Sequence, residues 1–126
     1  MDTRTKIQSP EEAAAAAAAA RSRGETVRLV AGSFDVLQAE HARDLQSHSE
    51  AALFVAVLNG RYAPLPLRAR AELVAAFRAV RSVIPVEGDL DAVIAAVRPD
   101  EILDRSADHE AQLRRLIEHV HERHSR

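Results

Sequence analysis

The residues of this chain best suited to chemistry run from Gly32 to His41, in the order Gly32-Ser33-Phe34-Asp35-Val36-Leu37-Gln38-Ala39-Glu40-His41. They follow a short apolar run, residues 26–31, and lead into residues 42–49, whose mixed pattern predicts a helix. A glycine turn between a strand and a helix start leaves backbone N–H groups free, and the helix dipole there favours negative charge. The position therefore points to a nucleotide or phosphate site. Each residue also has a plainer role open to it. Gly32 can be a turn glycine, Phe34 core packing, Asp35 a turn-stabilising side chain, and His41 a cap or a solvated group in a first helical turn.

Elements that could position this turn are legible on both sides of it. Residues 1–8 show no periodicity and read as a flexible lead-in to one domain over residues 9–126. Ser9, Pro10 and Glu12 form a complete helix start, with Ser9 as N-cap and Glu12 closing a capping box. An unbroken alanine run, residues 13–20, follows; Arg21 and Arg23 suit its C-terminal end and Gly24 its stop. An ordered, docked helix is expected there rather than a linker. Residues 51–58 are continuously apolar, as in a strand buried on both faces of a parallel sheet. Residues 68–80 predict a surface helix with Leu73, Val74, Phe77 and Val80 on its buried stripe and Arg70, Glu72 and Arg78 around it. Residues 82–86 predict a short strand, with Pro85 placing it near an end or an edge. Asp89 caps a helix over 90–97; residues 101–103 make a last strand, and 108–122 a terminal helix. Strands alternating with helices predict a three-layer α/β fold, a doubly wound parallel sheet with its ligand site at the carboxyl ends of the strands.

Composition removes several function classes. Seventeen Lys and Arg against nineteen Asp and Glu give a net charge of -2, so no basic footprint for nucleic acid or an anionic membrane is expected. The absence of cysteine excludes disulfides, thiolate metal sites and a cysteine nucleophile. No apolar run reaches membrane-spanning length and no signal peptide is evident, so a cytoplasmic location is expected. His119, His121 and His124 invite a metal hypothesis, but their spacing puts them on different helix sides, and a solvated tail is the better reading.

From Val30 to His41 the chain resembles the first signature of the cytidylyltransferase-like nucleotidyltransferases: a glycine, any residue, Phe-Asp, then His-x-Gly-His opening a helix. The adenylyltransferase domain of ADP-heptose synthases is the subgroup it resembles most, with glycerol-3-phosphate cytidylyltransferases as relatives. The similarity extends over the Arg70-Ala71-Glu72 helix and the Arg98-Pro99-Asp100 segment. It implies a Rossmann-like fold, transfer of a nucleotidyl group from ATP or CTP with Mg²⁺ to a small phosphorylated substrate, and a possible homodimer. It also implies Gly32, Ser33, Phe34 and Asp35 as nucleotide-binding residues, with His41 and Gln38 at the two catalytic histidine positions.

Two departures bear on that chemistry. Gln38 stands where the first histidine is expected and cannot carry positive charge; Glu40 stands where the glycine is expected and brings a carboxylate to a polyphosphate site. The family's Lys-Gly-x-Asp-Tyr segment corresponds to residues 104–108, Asp-Arg-Ser-Ala-Asp, and its later Ser/Thr-rich phosphate motif is missing. Arg61 or Arg105 could replace a lost cation. The expectation is a nucleotidyltransferase-like protein with weak or lost activity; the alternative is a non-catalytic relative, without cofactor, serving binding, regulation or assembly.

Overall fold

A computed structural model describes residues 2–34, 39–59 and 65–124. After a 3₁₀ helix at Thr3–Lys6, the elements are α1 (Pro10–Ser22), β1 (Val27–Gly32), α2 (Ala39–Gln46), β2 (Ala52–Leu58), α3 (Leu67–Ala75), β3 (Val80–Val86), α4 (Leu90–Val97), β4 (Glu101–Asp104) and α5 (Ser106–His124). Asp35 and Gln38, and the loop residues 60–64 with Arg61, lie outside the described residues.

Among the described residues, four parallel strands form one sheet in the order β3-β2-β1-β4. Helices cover both faces, giving the expected Rossmann-like doubly wound α/β fold. Alternate residues of β1 and β2 feed two separate cores. Val27, Leu29, Ala52, Phe54 and Ala56 pack with α1 and α4, whereas Val30, Leu53, Val55 and Val57 pack with Leu45 of α2 and with α3. Burial on both faces is why β2 reads as an uninterrupted apolar run. The chain turns from β1 to β2 on one side, yet β4 returns on the other. The carboxyl ends of β1 and β4 therefore flank the switch point where such sheets bind ligands.

The alanine run is a packing surface. Ser9 accepts from the Glu12 N–H while Glu12 accepts from the Ser9 N–H, closing the capping box. Ala13, Ala17 and Ala20 are fully buried, and their lack of side-chain bulk lets α1 lie close to α4. Arg21 then donates to the carbonyls of Val97 and Arg98, closing the end of α4, where Arg98 adopts a left-handed conformation ahead of Pro99. Asp100, next in line, accepts from the Val27 N–H at 2.8 Å and donates its own N–H to the Val27 carbonyl, pinning the start of β1 to β4.

Several sequence expectations are corrected. The stretch before Ser9, expected to be a flexible lead-in, carries the 3₁₀ helix, and Ile7 bridges to Val83 at the sheet edge. Helix α2, Ala39–Gln46, ends before Ser47 and already includes Glu40 and His41. Helix α3 stops at Ala75, and Val80, expected on its stripe, begins β3 instead. Its buried positions are Arg70, Ala71, Val74 and Ala75, while Leu73 is 45% exposed. Strand β3 lies at an edge of the sheet, one of the two placements that Pro85 left open. Among the described residues, no helix is long and apolar enough to cross a membrane.

If α1 is held by small-residue contact, Ala17→Leu should lower unfolding stability by about 1–3 kcal/mol through overpacking. The neighbouring exposed change Ala18→Leu should move it by no more than about 0.5 kcal/mol. Equal effects of the two changes in denaturant titrations would mean that α1 is not docked as described.

Candidate functional site

The end of β1 is built under strain. Gly32 and Ser33 continue the strand into the core, and Phe34, 2% exposed, takes a positive φ of 49°. A bulky residue in that conformation costs on the order of 1–3 kcal/mol and persists only where its surroundings over-determine it. One of those surroundings is Arg70. Its side chain is buried in α3 and donates to the carbonyls of Ser33 at 2.6 Å, Leu58 at 2.7 Å and Leu65 at 3.0 Å. A single guanidinium thus ties together the carboxyl ends of β1 and β2. Sequence periodicity placed Arg70 on the solvent side; it lies instead on the stripe shared with Ala71, Val74 and Ala75.

The second constraint comes from α5. Asp104, at the end of β4, accepts from the Ser106 N–H at 2.9 Å and the Ser106 hydroxyl at 2.7 Å. These bonds, the Ser106 hydroxyl first, hold its carboxyl below the usual range. The Arg105 N–H donates to the Ala31 carbonyl at 2.6 Å. With the helix started there, its first turn delivers His109 onto the end of β1. The ring, 4% exposed, sits against Gly32 so closely that a Cβ at Gly32 would collide with Nδ1 and Cε1. Nδ1 accepts a hydrogen bond from the Phe34 N–H at 3.2 Å. The rings of Phe34 and His109 meet edge to face at 4.4 Å, and those of His41 and His109 at 4.6 Å.

The electrostatics follow from this seating. A ring that accepts through Nδ1 is neutral and carries its proton on Nε2. Burial, above all, pushes His109 down from 6.5 to about 4; the charge of His41 adds to this, and Asp44 and Asp108 oppose it. Beside the rings lies a small crevice of about 200 Å³ lined by Glu40, His41, Asp44, Arg105, Asp108 and His109. Arg105 faces Asp44 with both ends of its fork, at 3.2 and 3.3 Å, so its charge is already neutralised. Glu40 and Asp108, both exposed, leave the crevice with an excess of carboxylates.

This arrangement does not fit a magnesium-bound nucleoside triphosphate. Among the described residues, the Phe34 amide is engaged by His109, the space over Gly32 is filled, and the crevice carries more carboxylates than cations. Among the described residues, no group of three His, Cys, Asp or Glu stands ready to hold a metal ion. Of the residues singled out by sequence, Gly32, Ser33, Phe34 and His41 do come together. The side chains of His119, His121 and His124 fall outside the described part of α5. His109 was not foreseen: it is distant in sequence from the turn, and no local pattern marks it. For Arg70 a signal existed, because its spacing from Val74 is that of one helix face.

No family model matches the chain. The chain is similar to the bifunctional protein HldE of Edwardsiella ictaluri, at 35% identity over 123 residues. The matched stretch covers 88% of this chain and 26% of that protein, so the chain spans about a quarter of the length of its relative.

Two measurements test the seating of His109. Gly32→Ala should destabilise the fold by roughly 1–3 kcal/mol, and a large part of that loss should vanish when it is combined with His109→Ala, since the two groups contest one space. Strict additivity would mean that the ring is elsewhere. As pH falls from about 6.5 to about 4, the unfolded chain takes up a proton at His109 that the folded chain refuses, so folding stability drops in that window. Above it, His109 contributes no slope. His109→Gln should therefore flatten the acid limb of the stability profile; an unchanged limb would refute a neutral, buried His109.

Proposed function

We propose that the chain is a nucleotidyltransferase-like protein whose transfer of a nucleotidyl group from ATP or CTP to a small phosphorylated substrate is weak or lost. The sequence signature from Val30 to His41, the doubly wound sheet and the similarity to bifunctional HldE support the nucleotidyltransferase-like part. One observation carries the second part: the His109 ring lies over Gly32 and takes the Phe34 N–H. Phosphoryl chemistry depends on positioning and neutralising charge, and here the positioning amide is engaged while Glu40 adds charge of the wrong sign. The same observation favours the reading of a non-catalytic relative that retains the fold for binding, regulation or assembly.

Purified protein with Mg²⁺, ATP or CTP and a panel of sugar phosphates should release pyrophosphate no faster than the buffer, and nucleotides should not raise its melting temperature. Combining His109→Ala with Gln38→His and Glu40→Gly should produce a nucleotide-dependent rise in melting temperature. Turnover by the unaltered protein that His41→Ala abolishes would refute the lost activity. Failure of the triple variant to bind any nucleotide would refute the turn as a nucleotide site.

A further inference from the structure

A second hollow lies at the opposite, amino edge of the sheet. It is a cleft of about 650 Å³ between the 3₁₀ helix, the end of α2 and the turn from α3 to β3. Its described polar lining consists of Lys6, Arg78 and Arg81 with Thr3, Gln46 and Ser49, and no carboxylate is among the described lining residues. In a chain of net charge -2 that concentration of cations stands out.

The cations are only partly satisfied from within. The Lys6 ammonium donates to the Phe77 carbonyl at 3.1 Å, a neutral partner, which leaves it further donors. Its partial burial also lowers its pKa from the usual lysine value. Arg78 is exposed and has no hydrogen bond or ion pair among the described residues. Arg81 meets Glu25 at 2.5 Å, but Glu25 is shared with Arg23 at 2.8 Å. A partly desolvated point charge, a free guanidinium and a half-neutralised one therefore line a single concavity. Its volume lies within the roughly 300–1,000 Å³ of small-molecule sites.

We propose that this cleft binds a phosphorylated small molecule, its phosphate or diphosphate group held by Lys6, Arg78 and Arg81. Guanidinium forks match phosphate oxygens in pairs, and an ammonium beside them supplies a movable charge. Concavity favours a compact ligand over an acidic peptide, which a flat basic face would serve as well. The site stands apart from the crevice at His109 and does not depend on any activity there.

The full chain would be titrated with inorganic pyrophosphate and, separately, with a sugar phosphate, by calorimetry and by backbone amide shifts. Saturable binding by either ligand is expected, with shifts at Ser49, Ala51 and Arg81 rather than at Gly32 and Ser33. Arg78→Gln, which removes a side chain without a described partner, should weaken binding about tenfold, and Lys6→Gln by a similar factor. Arg115→Gln, an exposed cation on α5, should change the affinity by less than about twofold. The proposal is overturned by non-saturable binding, by equal losses in Arg78→Gln and Arg115→Gln, by shifts centred on Gly32, or by tighter binding of polyglutamate than of either phosphate ligand.

Discussion

A parallel strand ends with backbone groups that its neighbours in the sheet do not satisfy, and the end of β1 is where this chain must meet that constraint. Two helices meet it with side chains. Arg70 of α3 takes the Ser33 carbonyl, and His109 of α5 takes the Phe34 N–H. Between them they hold Phe34 at a positive φ that its bulk disfavours. The Phe34 N–H is thereby satisfied within the chain.

The seating of His109 has consequences beyond one hydrogen bond. A neutral imidazole is a suitable acceptor for an amide, and burial keeps it neutral over most of the accessible pH range. The ring also fills the space over Gly32, the position where the absence of a Cβ would otherwise admit a ligand. Asp104 makes this possible, because capping α5 directly at the end of β4 leaves no intervening loop and puts the first helical turn over the switch point. Residues 104–108, which stand where the family resemblance expects Lys-Gly-x-Asp-Tyr, thus lead directly into His109.

Away from the site the fold follows local rules closely. The capping box at Ser9 and Glu12, the apolar run of β2 and the Asp89 cap could be read from residue types alone. Each is a local preference that tertiary contacts reinforce. Where reading failed, a contact between distant residues had overridden the local pattern. Helix α3 ends at Ala75 although apolar residues continue at helical spacing, because Val80 is drawn into pairing with Leu53 of β2. Arg70 is buried because the carbonyls of Ser33 and Leu58, at the ends of β1 and β2, and of nearby Leu65 offer it acceptors, and the first two are distant in sequence.

The sequence by itself determined the alternation of strands and helices, the parallel sheet and the position of the turn at Gly32, Ser33 and Phe34. These depend on hydrophobic period, capping and glycine, which act between near neighbours. Gln38 and Glu40 mark, in the sequence alone, where the chain departs from the signature it resembles. What only the tertiary structure decided is which group occupies the turn. That depends on how α5 leaves β4, and hence on where His109 comes to rest: against Gly32 and Phe34, whose separation from it in sequence gives no local signal of the contact.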